Sequence, residues 1–251
     1  MRKLNLLFLV LFLVTGFSTL SAHNLKESIV SDDRTPASTT RDEYRHPYET
    51  LNFFGIEPDM TVVELNPGGG WYTEILANYI HYPGTLITAQ GSYYLEEFEK
   101  KMNSNPMYGR VEIVNLNSNL AEPNSVDAVV TFRNLHNWLG PEMDSIFENS
   151  FKALKSGGSF GVVEHRANSG TDLETMKKSG YVTEDHAIKV ALKHGFELVA
   201  KSEINANPKD TKDHPKGVWT LPPRLRLNDV DRDKYESIGE SDRMTLLFRK
   251  P

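Results

Sequence analysis

Two periodicities alternate along the chain. Short runs rich in β-branched residues, bounded by turn residues, predict strands, and apolar positions at three- and four-residue spacing between them predict helices. The runs predicted as strands are 61–65, 85–89, 111–116, 128–132, 159–164, 197–204 and 244–249. The main segments predicted as helices are 42–54, 71–80, 94–102, 142–154 and 184–194. Because strands and helices alternate, the pattern predicts a mostly parallel sheet with helices on both faces, and the last two strands should close it as an antiparallel pair.

The first 22 residues have the order of a secretory signal. The basic pair Arg2 and Lys3 precedes an apolar run from Leu4 to Phe17, and small residues follow up to Ala22. The run is shorter than the roughly 20 residues that a transmembrane helix needs. Cleavage near Ala22 and export, either periplasmic or extracellular, are therefore predicted, without stable membrane insertion afterwards. An uncleaved anchor is the weaker alternative.

The rest of the chain divides into two parts by composition. Residues 23–40 are polar and lack an apolar period, which predicts a flexible N-terminal arm. Residues 41–251 carry the periodic pattern and are long enough for one domain with an ordinary core.

Charge and cysteine content exclude several classes of site. The chain has 28 Lys and Arg against 34 Asp and Glu, and loss of Arg2 and Lys3 would make the balance more acidic, which argues against a nucleic-acid partner. With 0 Cys, disulfides, thiolate metal sites and cysteine nucleophiles are all excluded.

The turn after the first predicted strand is the most informative motif. From Glu64 to Trp71 the chain passes from an acid at the strand end through Asn66 and Pro67 into three consecutive glycines before a helix. Without side chains, the backbone can approach a ligand closely, and the helix N-terminus offers free N–H groups. Three glycines exceed what tight packing of strand on helix requires, so the turn predicts a ligand site.

On these residues the sequence resembles the class I S-adenosylmethionine-dependent methyltransferases, and more narrowly exported methyltransferases of that superfamily. The resemblance implies a Rossmann-like fold with a seven-stranded sheet, its last strand antiparallel, and S-adenosylmethionine as the cofactor. The segments that carry it are His46 to Thr50, Glu64 to Tyr72, Phe132 to Trp138 and Gly217 to Pro223.

The resemblance assigns cofactor contacts and also shows departures. Asn66 stands where the superfamily has the first glycine of its turn, Gln90 stands where an acid usually accepts the ribose hydroxyls, and Asn117 stands where an Asp commonly meets adenine. An amide gives up the charge-assisted bond of a carboxylate, so weakened cofactor affinity is expected. The cofactor-binding residues expected on this basis are Glu64, Asn66, Pro67, Gly68, Gly69, Gly70, Trp71, Gln90, Asn117, Arg133 and Asn134.

Polar and aromatic residues follow the fourth and fifth predicted strands, at the edge where α/β folds bind substrates. His136 is the first candidate for a general base, because imidazole ionises near neutrality, and His165 is the second. A histidine that only shapes the loop is an equally open interpretation of His136. Arg133 is expected to hold a carboxylate of the substrate or the cofactor. No His-x-x-x-His or paired-acid spacing supports a metal, so none is predicted.

Three functions fit these features to different degrees. A methyltransferase acting on a small molecule in the cell envelope fits the turn and the resemblance best. A non-catalytic protein that binds a nucleoside or another small molecule on the same fold is the alternative, favoured by Gln90, Asn117 and export, since the cofactor is made inside the cell. A dehydrogenase is weaker, because the Gly-x-Gly-x-x-Gly spacing is not matched. The oligomeric state is left open.

Overall fold

The computed structural model describes residues 24–251, and the segment predicted as a signal peptide, residues 1–22, lies outside them. Seven strands form one sheet in the order β3-β2-β1-β4-β5-β7-β6. Neighbouring strands from β3 to β5 are parallel, and β7 is antiparallel to both β5 and β6. The strands are β1 (Thr61–Leu65), β2 (Thr85–Gln90), β3 (Val111–Asn115), β4 (Val126–Phe132), β5 (Leu154–His165), β6 (Glu197–Ser202) and β7 (Arg243–Arg249). The predicted mostly parallel α/β sheet with an antiparallel last strand is confirmed.

Helices precede β1 and lie between most of the successive strands. They are α1 (Leu25–Ile29), α2 (Pro36–Thr39), α3 (Asp42–Arg45), α4 (Pro47–Phe53), α5 (Trp71–Tyr79), α6 (Leu95–Met102), α7 (Pro141–Ala153), α8 (Leu173–Ser179), α9 (Glu184–Lys193) and α10 (Arg232–Ile238). Within residues 24–251, none of these helices has the length and apolar character needed to cross a membrane.

Both faces of the sheet are covered, as the alternation of elements predicted. Successive residues of β1 point to opposite faces. Val62 joins one core cluster with Ile75 of α5, and Val63 joins another with Phe147 of α7. Val62 and Val63 are both fully buried, which explains why adjacent residues of β1 are apolar rather than alternating with exposed polar ones.

Part of the segment expected to be a flexible arm is helical. It forms α1 and α2, and polar contacts attach it to α5. The indole Nε1 of Trp71 donates to the carbonyl of Ser38 at 2.8 Å, and the hydroxyl of Thr35 donates to Glu74 at 3.1 Å. Leu25 of α1 is also buried in the core cluster that contains Ile75, and Ile29 packs against the same cluster.

Two further differences concern helix boundaries. The single helix expected over residues 42–54 is two helices, because His46 adopts a left-handed conformation with φ 42° between α3 and α4. Helices α8 and α10 lie in stretches for which no helix was predicted. Both are only two turns long, and short helices of this kind are set by their tertiary contacts.

Candidate functional site

The turn between β1 and α5 has an open surface. Asn66, Gly68 and Gly70 have φ values of 47°, 58° and 74°, a left-handed conformation that glycine adopts without strain. A Cβ added to Gly68 or Gly69 would meet no heavy atom of the protein within 4 Å. Glycine is therefore not required there by packing inside the protein, and the free space lies where a ligand would approach the backbone.

Asn134 joins the ends of β1 and β4 below this turn. Its Nδ2 donates to the carbonyls of Leu65 and Asn66 at 3.1 and 3.2 Å and to the hydroxyl of Thr131 at 3.1 Å. Its Oδ1 accepts from Nδ2 of Asn66 at 3.0 Å. The predicted cofactor ligand Asn134 is thus already committed to protein partners, and its side chain positions the turn.

A cavity of about 210 Å³ opens beside the turn. Tyr72 and Phe132 stack in its wall, with ring centroids 3.5 Å apart and planes tilted by 11°. This volume includes space open to solvent, and a nucleoside cofactor would also extend along the open groove over the glycines. The residues that line the cavity are Glu64, Leu65, Asn66, Pro67, Trp71, Tyr72, Phe132, Arg133 and Asn134.

Glu64 lies at the bottom of the site as a buried acid. Its side chain accepts a hydrogen bond of 2.6 Å from the hydroxyl of Thr73. Burial raises the pKa of Glu64 to about 7, against the smaller opposing effects of the Thr73 bond and the charge of Lys101. A substantial fraction of Glu64 is therefore neutral at physiological pH.

Gln90 and Asn117 lie outside the cavity wall. Gln90 ends β2 and is fully buried, and neither its Nε2 nor its Oε1 has a hydrogen-bond partner. An orphaned buried amide is costly unless a ligand satisfies it, which fits the ribose-contacting position that the resemblance assigned. Asn117 is exposed, and its backbone N–H donates to the side chain of Asn115 at 2.8 Å. It remains accessible at the rim of the sheet edge.

The two predicted catalytic histidines meet above β5. The imidazole Nδ1 of His136 lies 3.0 Å from Oε1 of Glu164, and the ring centroids of His136 and His165 are 5.3 Å apart. The Nδ1 of His165 contacts the hydroxyl of Ser241. Burial lowers the pKa of His165 well below its usual range, and the neighbouring His136 and Arg133 lower it further. His165 is therefore neutral, whereas Glu164 fixes the orientation of His136.

The same three side chains can be considered as metal ligands. Ligand atoms of His136, Glu164 and His165 lie within 4.8 Å of one another, a grouping that the spacing along the sequence did not reveal. Each of the three already has a protein partner. The nearby guanidinium of Arg133 also opposes a cation, because like charges repel.

Sequence reasoning missed an arginine-rich group beside the cavity. Glu240 contacts Arg45 at 3.4 Å, Arg133 at 3.7 Å and Arg243 at 3.1 Å. Trp219, from the 3₁₀ turn Gly217–Thr220, places its ring 6.0 Å from that of His136. These residues come from distant segments of the chain, so only the tertiary structure brings them together. The sequence signals were Arg133, which was expected to hold a carboxylate, and the motif around Trp219.

Comparisons with known proteins support the fold. No family model matches the chain, and no curated protein matches it. Among solved structures, a SAM-dependent methyltransferase from Aquifex aeolicus has a TM-score of 0.56 and 18% identity over 72% of this chain and 93% of its own. Geranyl diphosphate C-methyltransferase from Streptomyces coelicolor A3(2), solved with Mg²⁺, geranyl diphosphate and S-adenosyl-L-homocysteine, has a TM-score of 0.61 and 11% identity over 89% and 87%. A geranyl diphosphate methyltransferase in complex with SAM has a TM-score of 0.59 and 11% identity over 90% and 95%. The chain therefore has the fold of the SAM-dependent methyltransferases.

Proposed function

We propose that the protein transfers a methyl group from S-adenosylmethionine to a small-molecule acceptor in the cell envelope. The observation that carries the proposal is the turn from Asn66 to Gly70. Its alternating left-handed backbone leaves free space over Gly68 and Gly69 at the carboxyl edge of β1. In a doubly wound α/β fold this edge is where ligands bind.

The residues around the turn suit a nucleoside cofactor. The orphaned amide of Gln90 at the end of β2 can donate to one ribose hydroxyl and accept from the other. The free backbone N–H groups at the start of α5 face the same edge. Two of the solved neighbours contain SAM or S-adenosyl-L-homocysteine, and one of these also contains geranyl diphosphate, which favours a small-molecule acceptor.

S-Adenosylmethionine, when bound, supplies a methyl group on a sulfonium that leaves as a neutral thioether when its carbon–sulfur bond breaks. The protein's own part is to hold the acceptor and to remove its proton. With Nδ1 of His136 directed at Glu164, Nε2 is the nitrogen that accepts a proton from an acceptor oxygen or nitrogen. The resulting imidazolium is stabilised by the Glu164 carboxylate, as in other histidine–carboxylate pairs.

His165 has a different part in this proposal. Its buried, neutral ring packs beside His136 and contacts Ser241. It therefore shapes the wall next to the base and does not carry charge itself.

The test of this proposal is methyl transfer itself. Protein without residues 1–22 is incubated with methyl-labelled S-adenosylmethionine and fractionated small-molecule extracts of the cell envelope. The proposal expects label in an organic product with the wild type and at least about 10²-fold less with His136→Asn, the usual worth of a general base. Equal labelling by the two proteins would exclude His136 as the base.

A non-catalytic binding protein is the second candidate, favoured by the amides at Gln90 and Asn117. In that case, S-adenosyl-L-homocysteine binds but no extract yields product.

We also propose that residues 1–22 are removed on export. N-terminal sequencing of the exported protein should begin near His23, and Met1 at the terminus of a membrane-bound form would contradict this.

A further inference from the structure

Four arginines surround one carboxylate next to the cavity. Arg41, Arg45, Arg133 and Arg243 converge on Glu240, and we refer to the four as the arginine cluster. Among the described residues 24–251, Glu240 is the one acid that forms ion pairs with them. The cluster thus has a large excess of positive charge.

Glu240 satisfies only two of the four arginines well. Its carboxylate lies 2.5 Å from Arg41 and 3.1 Å from Arg243. Arg45 contacts it through Nε alone at 3.4 Å, and Arg133 approaches no closer than 3.7 Å, beyond hydrogen-bond distance. Arg45 and Arg133 therefore keep most of their donors available.

Arg45 has a marked deficit of partners. Its side chain is 2% exposed, and both Nη1 and Nη2 are buried without a hydrogen-bond partner. Its guanidinium lies 4.5 Å from the ring centroid of Trp71, a cation–π contact that offsets only part of the desolvation. Buried charged donors without acceptors are strongly unfavourable, so this arrangement fits a site that an external acceptor completes.

The charges of the cluster act against one another. The pKa of Arg133 is lowered to about 10: burial is the largest cause, Glu240 opposes it, and Arg243 and Arg41 add to the lowering. Burial also lowers the pKa of Arg45 well below its usual range, with Arg133 as the largest charge effect. A second anion near Arg45 and Arg133 would relieve this repulsion.

The cluster is connected to the cavity. Arg133 lines the cavity and its side chain is 23% exposed, while Trp71, on which Arg45 packs, forms another part of the same wall. The amino-acid end of S-adenosylmethionine has one carboxylate and one ammonium besides its sulfonium. The cofactor as a whole is therefore cationic, and an anionic acceptor would compensate the excess positive charge more fully than the cofactor does.

Resting on the proposed function, we propose that the methyl acceptor carries a phosphate or carboxylate group and that Arg45 and Arg133 bind it. Guanidinium groups present paired N–H donors that match the oxygens of both anions. A phosphate, with up to two negative charges, compensates the cluster more fully than one carboxylate. The acceptor would thus lie with its anionic end on the cluster and its reactive atom towards the cavity.

The test titrates anions into protein saturated with S-adenosyl-L-homocysteine. Binding is measured by calorimetry, with pyrophosphate and orthophosphate as the phosphate probes and succinate as the carboxylate probe. The buffer contains no other phosphate or carboxylate. We expect the wild type to bind at least one probe and Arg133→Gln to weaken it about tenfold or more, as for loss of a charged hydrogen bond. Arg45→Lys, which keeps the charge but lacks the paired donors, should also weaken binding. Arg232→Gln, at an exposed arginine paired with Glu236, is the matched control and should bind like the wild type.

The two sources of the anion are separated by a second titration. S-Adenosyl-L-homocysteine has the amino-acid carboxylate, and 5′-methylthioadenosine lacks it. If Arg133→Gln or Arg45→Lys weakens the first and not the second, the cluster binds the cofactor's carboxylate and the proposal is overturned. Absence of anion binding to the loaded wild type overturns it as well.

Failure of the proposed function has a different signature. If neither nucleoside binds, the methyltransferase proposal fails, and the anions are then titrated into the unloaded protein. Binding that Arg133→Gln weakens would still support the anion site, and absence of such binding would overturn it.

Discussion

Glu164 of β5 accepts a hydrogen bond from the Nδ1 of His136 at 3.0 Å, and its second oxygen accepts from the His136 backbone N–H at 3.3 Å. Two bonds from one carboxylate fix both the ring and the backbone of the loop after β4. Glu164 is fully buried, so this orientation is maintained away from solvent. The pair therefore has the geometry of a positioned general base.

Substitution of the pair should separate catalysis from binding. We expect His136→Asn to lower kcat by about 10²–10⁴-fold with little change in S-adenosyl-L-homocysteine affinity, because the cofactor turn lies on β1. Glu164→Gln should lower kcat with KM nearly unchanged, since it acts through His136. Steady-state kinetics and calorimetry on the same preparations provide both quantities.

The matched control for this substitution is His194→Asn. His194 also pairs with a carboxylate, Asp144 at 2.8 Å, but at the contact between α7 and α9. Its kcat should equal that of the wild type. If kcat fell equally in His136→Asn and His194→Asn, removal of an imidazole would act through stability in general. That result would contradict the role of His136 as the general base.

The buried acid Glu64 makes stability depend on pH in the neutral range. Its pKa is about 7 in the folded protein against an ordinary value of 4.5, so the folded state binds more protons between these values. Its favourable contribution is complete below pH 4.5 and is lost as pH rises through 7. Glutamine does not ionise, so the Glu64→Gln variant does not lose this stability as pH rises. Above pH 7 the free energy of unfolding of the variant should exceed that of the wild type by up to about 3 kcal/mol.

Denaturant unfolding at pH 5, 6, 7 and 8 measures this effect. Glutamine keeps an oxygen that can accept the Thr73 hydrogen bond, so the comparison isolates the charge. Glu112→Gln, at an exposed position of β3, is the control and should follow the wild-type profile. Parallel profiles for Glu64→Gln and wild type would show that Glu64 titrates normally.

Glu240 should have the opposite dependence on pH. Burial alone would raise its pKa, but the charges of the arginine cluster outweigh burial and hold the pKa at about 2. Its contribution to stability is therefore present above pH 4.5 and is lost as pH falls towards 2. We expect Glu240→Gln to destabilise the protein at pH 7 by about 3–5 kcal/mol, the usual cost of breaking a buried ion pair.

Thermal unfolding of the Glu240→Gln variant should also show that pyrophosphate stabilises it more than it stabilises the wild type. Equal stabilisation of the two proteins would contradict an anion site at the arginine cluster.

Gly69 offers a substitution that separates ligand binding from folding. Its Cβ position is free of protein atoms, and its φ is not among the left-handed values. We therefore expect Gly69→Val to retain the circular dichroism spectrum and unfolding midpoint of the wild type while S-adenosyl-L-homocysteine affinity falls at least about tenfold, as a side chain enters the ligand's space. Unchanged affinity in the folded variant would show that the glycine turn has only a structural role.

The sequence predicted the sheet well because its signals are local. The β-branched run at β1 and the glycines before α5 each determine their own conformation, so element order and the glycine turn were evident from neighbouring residues. His136 and His165 were assigned to one edge because parallel strands bring their carboxyl ends together. Their centroid distance of 5.3 Å agrees with that expectation.

Long-range polar contacts were beyond the sequence pattern. Arg45 and Arg243 are separated by most of the domain, and no periodicity links either to Glu240. The contacts of the N-terminal segment are likewise long-range, such as the bond from Trp71 to the Ser38 carbonyl. Such contacts follow from the packed structure and leave no local signature.

Cofactor binding is measured by calorimetric titration of the wild-type protein, lacking residues 1–22, with S-adenosyl-L-homocysteine. We expect one equivalent to bind with a dissociation constant in the micromolar range, about −8 kcal/mol. The affinity should be lost in Gly69→Val, whose side chain fills the space over the turn. No saturable heat with the wild type, in protein shown by circular dichroism to be folded, would contradict the account.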